Sequence, residues 1–180
     1  DNGSLVYGGR ANIEVVDITA ATPTPIKLST SAEGQATYYP AFSPDGTTLI
    51  FNKSMCADGQ DGEDCDMYDD PGAQLLTIRP EANATPTLLT KANAPGVSDT
   101  ATFVENSFPK WAPFVFQRTG EFGSRVMWVT FSSNRSYGLR KPSATQTLIW
   151  MAAIDPDAPG DGSYAAFALP FQDLATDNHT

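Results

Sequence analysis

The stretch Tyr39-Pro40-Ala41-Phe42-Ser43-Pro44-Asp45-Gly46, followed by Leu49-Ile50-Phe51, recurs in altered form. The second copy reads Phe108-Pro109-Lys110-Trp111-Ala112-Pro113 and, after an interruption, Trp128-Val129-Thr130-Phe131. An internal repeat spaced by tens of residues marks units that cannot bury their apolar faces alone and therefore stack on one another. Ser43-Pro44-Asp45-Gly46-Thr47 has the residues of a tight turn, because proline presets φ and glycine accepts positive φ. In the second copy the longer Pro113–Arg125 takes the place of that turn, and a loop is expected there.

Outward from these copies, apolar runs of four to eight residues recur, rich in Val, Ile, Phe, Trp and Thr and bounded by Gly, Pro, Asn and Asp. No segment carries a 3.6-residue apolar stripe, so the chain is expected to be all-β. Aligned, the runs form a unit of four strands, a to d. Strand a is Tyr38–Ser43 and Phe108–Ala112; strand b is Leu5–Tyr7, Thr48–Asn52 and Met127–Ser132. Strand c is Asn12–Ile18, Gln74–Ile78 and Thr147–Ile154; strand d is Pro25–Leu28, Pro86–Leu89 and Ala165–Phe171. One domain of three units is expected, at about 1–30, 36–92 and 106–172, with 173–180 as a disordered tail. Trp111, Trp128, Trp150, Phe42, Phe51 and Phe131 fall at strand positions and are expected to pack the core.

The 14 glycines and 14 prolines fit a turn-rich globular chain rather than a disordered one. A net charge of -10 speaks against nucleic acid as a partner, because phosphate neutralisation needs clustered Lys and Arg. An anionic membrane surface is disfavoured likewise, and the absence of an apolar run of about 18 residues speaks against a membrane span. The chain opens Asp1-Asn2-Gly3-Ser4, without initiator methionine or signal peptide, as a mature protein or an excised fragment would. Cys56 and Cys65 lie nine positions apart in a hydrophilic loop and suit a small disulfide ring, contributing roughly 2–3 kcal/mol. A disulfide implies a periplasmic, cell-surface or secreted protein; the alternative is two free thiols. With only His179 far off, these cysteines form no tetrahedral zinc set.

The Pro-x-Phe-Ser-Pro-Asp-Gly-Thr-x-Leu-Ile-Phe pattern over 40–51 resembles the repeat of TolB-like β-propellers, relatives of WD-repeat proteins. The third unit, with Trp128 to Arg135, looks like a degenerate copy without its Asp-Gly turn, and the resemblance covers about two thirds of the chain. It implies a β-propeller-like stack of about three four-stranded antiparallel blades, with the Pro-x-aromatic segment innermost near a central channel. It also implies a periplasmic or surface scaffold that binds other proteins, or else the non-catalytic propeller of a larger hydrolase. The 69 residues from Pro40 to Pro109 exceed the roughly 40–45 of an undecorated blade, so insertions are expected. Propellers close with about four to eight blades, whereas this chain offers two complete units and one lacking strand a. It is therefore read as an incomplete propeller: a fragment of a larger one, a chain with further unrecognised blades, or three blades completed by self-association.

Candidate chemistry lies in the interruptions. Residues 58–70 hold seven carboxylates in thirteen positions, among them Asp58, Asp61, Asp64, Asp66, Asp69 and Asp70. Crowded carboxylates suit calcium, which takes about six to eight oxygen ligands, although the spacing is not that of an EF-hand. The alternative is a solvated acidic loop. In a four-strand unit the b–c and d–a connections leave on one face. The insertions at 54–73 and 91–106 and the segment Arg135–Lys141 should then gather there, a placement typical of binding surfaces. Arg135, Tyr137, Arg140 and Lys141 are the candidate contacts for a protein or peptide, Arg and Tyr being enriched at hot spots. Pairing of those cations with nearby aspartates is the alternative. Neither a Gly-x-Ser-x-Gly elbow nor a phosphate loop occurs, and the single histidine is His179. The expectation is an extracytoplasmic, non-catalytic binding module, with a calcium-stabilised adhesion module and part of a propeller-containing hydrolase as rivals.

Overall fold

A computed structural model of the chain describes residues 12–29, 35–54, 70, 72–100, 104–119, 125–138, 146–173, 176 and 178. Ten strands and no helix occur among them. Sheet 1 pairs β1 (Glu14–Val16) with β2 (Pro25–Lys27). Sheet 2 has the order β3 (Thr37–Phe42), β4 (Leu49–Lys53), β5 (Gln74–Ile78), β6 (Thr87–Leu88). Sheet 3 has the order β7 (Asn106–Gln117), β8 (Arg125–Ser133), β9 (Leu148–Ile154), β10 (Phe167–Ala168). Every pairing is antiparallel.

The expected a-b-c-d order holds in sheets 2 and 3, and c-d in sheet 1. The run Leu5–Tyr7, expected as the first strand b, lies outside the described residues. Two expectations need correction. The supposed loop at Pro113–Arg125 begins as strand, since β7 continues to Gln117, and β8 begins at Arg125; a register shift between Trp111 and Val115 lets the strand carry Pro113 onward. Phe42 is 52% exposed rather than buried, and Trp128, half-buried, lies on the face of β8 opposite the core residues Val129 and Phe131. Of the tail 173–180, residues 174, 175, 177, 179 and 180 lie outside the described residues, and Asn178 N–H donates to the Thr147 carbonyl at 3.0 Å.

The sheets stack in chain order because their strands alternate between two apolar faces. Leu49, Phe51 and Ile78 of sheet 2 pack with Ile13 and Leu28 beside sheet 1. Ile50 and Leu75, on the opposite face, pack with Val129, Phe131, Trp150, Ala152 and Ile154 of sheet 3. Each large apolar side chain fully buried this way contributes roughly 1.5–3 kcal/mol. Sheet 2 is thus covered on both sides, which explains the unbroken apolar run Leu49-Ile50-Phe51 in β4.

Registers repeat between sheets. Phe42 faces Leu49 as Trp111 faces Val129, and Thr37 faces Lys53 as Asn106 faces Ser133. One backbone bond occurs three times: Leu28 N–H to Ile13 O, Leu89 N–H to Leu75 O, and Leu169 N–H to Ile149 O, at 2.8, 3.1 and 3.0 Å. Beside it sits a side-chain clamp. Asn93 accepts from Leu75 N–H and donates to the carbonyls of Leu75 and Leu89. Gln172 does the same for Ile149 and Leu169, and Ser29 Oγ accepts from Ile13 N–H.

Tyr39 and Phe108, each preceding the repeat's proline, share left-handed φ values of 50° and 53° at register shifts. A bulky residue there costs on the order of 1–3 kcal/mol. Their rings stack on each other at 4.3 Å, joining β3 to β7, and Trp111 Nε1–H donates to Ala41 O at 3.0 Å across the same seam. Phe42 occupies the Trp111 position of sheet 2. Among the described residues sheet 1 supplies no strand for it to reach, which accounts for its exposure.

Candidate functional site

The inserted connections meet at one end of the sheet 2–sheet 3 interface. Asn106 N–H donates to Ala73 O, at the end of the 54–73 insertion. Glu105 N–H donates to Asn134 Oδ1 at 3.1 Å, and Ser98 Oγ–H to Gly138 O at 2.8 Å. The Asp99 carboxylate accepts from the Gly96 N–H, the Ser136 N–H and the Ser136 hydroxyl. Gly96 permits this approach, because a Cβ there would lie 2.5 Å from Ser136 O and 2.9 Å from Asp99 Oδ2. Among the described residues, 91–100, 104–106 and 134–138 therefore form one connected end, with Ala73 buried beside it. Its outermost apolar groups are Val97, fully exposed, and Tyr137, 41% exposed.

Beneath it lies Arg135, only 2% exposed. Its guanidinium is held between the Phe131 and Trp150 rings, 5.2 and 5.0 Å from their centroids. It donates to Ser133 Oγ at 3.0 Å, to Ala92 O at 2.9 Å and to Asn106 Oδ1. Asn106 Nδ2 in turn donates to Asn93 Oδ1 at 3.1 Å, so the cation is wired to the clamp of sheet 2. Burial pulls the guanidinium down to about 10, with the Asp99 charge opposing. It stays charged at neutral pH and must keep its hydrogen bonds.

The opposite end is built from tight turns. Asp45 Oδ1 accepts from the Ser43 hydroxyl and from the Thr47 N–H and hydroxyl, which fixes the Pro44-Asp45-Gly46 turn with Gly46 at φ 70°. Its Oδ2 accepts from Arg125 at 2.6 Å, and Arg125 also grips Asp157 at 2.6 Å. Burial would raise the Asp45 pKa, but the bonds from Ser43 and Thr47 and the Arg125 charge hold it below its ordinary value. The Arg125 hydrogen bond does the same for Asp157. Beside this triad a cleft of about 310 Å³ opens between sheets 2 and 3, lined by Thr48, Thr77, Arg79, Glu81, Thr87 and Asp155.

Of the candidate contacts, Tyr137 lies on the surface where the loops gather. Arg135 does not: it was expected as an exposed contact, and in the structure it serves the interior. Arg140 and Lys141 lie outside the described residues, as do Cys56, Cys65, Asp58, Asp61, Asp64, Asp66 and Asp69. Asp70 is buried and caps its own turn, Oδ1 accepting from Gly72 N–H at 2.8 Å. No group of three or more His, Cys, Asp or Glu placed to hold a metal occurs among the described residues. Nor does any described helix have the length and apolarity to cross a membrane. Gly96, Val97 and Asp99 carried no motif, and only their place in the 91–106 insertion pointed to them. No known protein family, curated protein or solved structure matches the chain.

Proposed function

We propose that the chain is a propeller-like module of the TolB-like kind, extracytoplasmic and non-catalytic, that binds a protein or peptide at the end where its inserted loops gather. Support for the propeller character comes from sheets 2 and 3, which repeat one register, and from the Tyr39–Phe108 stack joining their Pro-aromatic strands. The observation that carries the binding role is the convergence of 91–100 and 134–138, braced by Asp99 and underpinned by Arg135. Loops fixed by a rigid scaffold are where recognition residues concentrate. A buried polar network below them keeps Val97 and Tyr137 presented in one geometry, which lowers the ordering cost of binding.

A photo-crosslinking residue at Val97 or Tyr137, compared with one at Thr85 beside the cleft, tests the reading in cells. Specific adducts from the loop positions are expected. Adducts from Thr85 alone would move the function to the other end. Calcium stabilisation of the 58–70 segment remains the second proposal. An unchanged melting temperature on chelation would remove it.

A further inference from the structure

The two outer faces of the stack differ in chemistry. On sheet 1 the outward positions are Glu14, Val16, Pro25 and Lys27, all exposed, with Glu14 directly opposite Lys27. By register the same positions in sheet 2 are Leu76, Ile78 and Leu88, and in sheet 3 Trp150, Ala152 and Ala168. A charged pair where the other sheets carry apolar side chains is the mark of a capping unit.

Sheet 3 ends the opposite way. Trp128, Thr130, Ile149, Met151 and Phe167 alternate with the residues packed on sheet 2 and so point outward. Thr130 and Ile149 correspond by register to Ile50 and Leu75, the residues of sheet 2 that sheet 3 covers. The face continues along the hairpin extension that only sheet 3 has. Phe116 lies opposite Val126, on the Trp128 side, with Phe114 two residues before it. Phe114 and Phe116 meet at 6.0 Å, and Trp128 and Phe167 at 6.1 Å. Phe116 is 48% and Phe167 45% exposed. The clamp is repeated here as well. Asn93 and Ser29 each bond the first residue of the next sheet, Asn106 and Thr37. Gln172 has no such bond to a further strand among the described residues.

We infer that this face is an interface between two copies of the chain, sheet 3 against sheet 3 about a two-fold axis. A head-to-tail arrangement would set the aromatic face of one copy on Glu14 and Lys27 of another, desolvating both charges. The two-fold arrangement buries the aromatic stripes together, closes the assembly, and leaves the charged sheet 1 faces outward at both ends. Phe114, Phe116 and Phe167 are the exposed members of this face and Trp128, Ile149 and Met151 are half-buried beside them; clustered exposed apolar side chains of this kind mark association sites. The surface is separate from the loop end proposed for the partner.

Sedimentation equilibrium of the full chain over a wide concentration range tests the inference. A monomer–dimer equilibrium is expected, weakened about tenfold or more by Phe167→Lys and by Phe116→Lys. Both side chains are about half exposed, so the circular dichroism of each variant should match that of the wild type. Glu14→Ala and Lys27→Ala should leave the dimer unchanged. A chain that stays monomeric throughout overturns the inference and leaves the face to a sheet from another chain or segment. Growth beyond the dimer, or a dimer indifferent to both lysine substitutions, overturns it too.

Discussion

Two arginines tie sheet 2 to sheet 3 at opposite ends, and they do so by different physics. Arg135 is buried between aromatic rings, and its hydrogen bonds are to neutral oxygens of Ser133, Ala92 and Asn106. Arg125 is part-exposed and sits between two carboxylates, Asp45 and Asp157. A buried cation cannot fall back on water, so every bond it makes matters to stability. A part-exposed one is solvated whether or not its partners are present, and salt screens what remains. The loop end is therefore the rigid end, and the turn end is the adjustable one.

The sharpest way to break this contrast is Arg135→Ala, which removes packing between two rings and strands the Ala92 and Asn106 acceptors. A loss of about 3–5 kcal/mol is expected, from the lost packing together with the two stranded acceptors. Denaturant unfolding at neutral pH measures it. Asn93→Ala should cost about 1–3 kcal/mol by leaving the Leu75 N–H without its acceptor, while the Leu75 and Leu89 carbonyls each keep a backbone donor. Gln172→Ala should cost less, because Asn93 also receives the Asn106 amide while Gln172 serves its own sheet. Gly96→Ala should push the 91–100 segment away from Ser136 by steric contact. Faster hydrogen exchange at the Ser136 amide would register the change.

Acid probes the turn end. Asp45, Asp157 and Asp161 all have folded pKa values below the ordinary 3.8. For Asp161, burial pulls upward, but the bonds from Ser163 and Thr90 prevail. The stability they contribute is fully present above 3.8 and is lost as pH falls through their lowered values. The urea midpoint should hold from neutral pH to about 5 and drop below about 4, with a shallower drop in Asp161→Asn. Arg125→Ala should give the smallest effect, a loss that shrinks further as salt is added. A large, salt-independent loss at Arg125 would erase the distinction between the two ends.

The strands were readable because alternation and turn residues agree locally; Gln74–Ile78 coincides with β5 residue for residue. The extension of β7 was missed although Phe114-Val115-Phe116 alternates, because 113–125 was read as standing in for the Ser43–Thr47 turn of the first copy. Arg135 misleads for a different reason. A slot between Phe131 and Trp150 exists only after β8 and β9 pair, so nothing beside Arg135 in sequence announces it. The clamps escape notice likewise. Asn93 follows Leu89 by four residues and Gln172 follows Leu169 by three, so no fixed spacing links them. Of the candidate surface, the gathering of insertions at one end followed from strand order alone, whereas the Asp99 contacts that brace it needed three dimensions.

The stacked pair Tyr39 and Phe108 bears on how the molecule comes apart. Each holds an unfavourable left-handed backbone, and each ring has the other as its stacking partner in the neighbouring sheet. Strain in one sheet is thus compensated by the other, so neither bulge is favourable in an isolated unit. Cooperative melting of sheets 2 and 3 in a single calorimetric transition is the expected result, despite a sequence that reads as separable repeats.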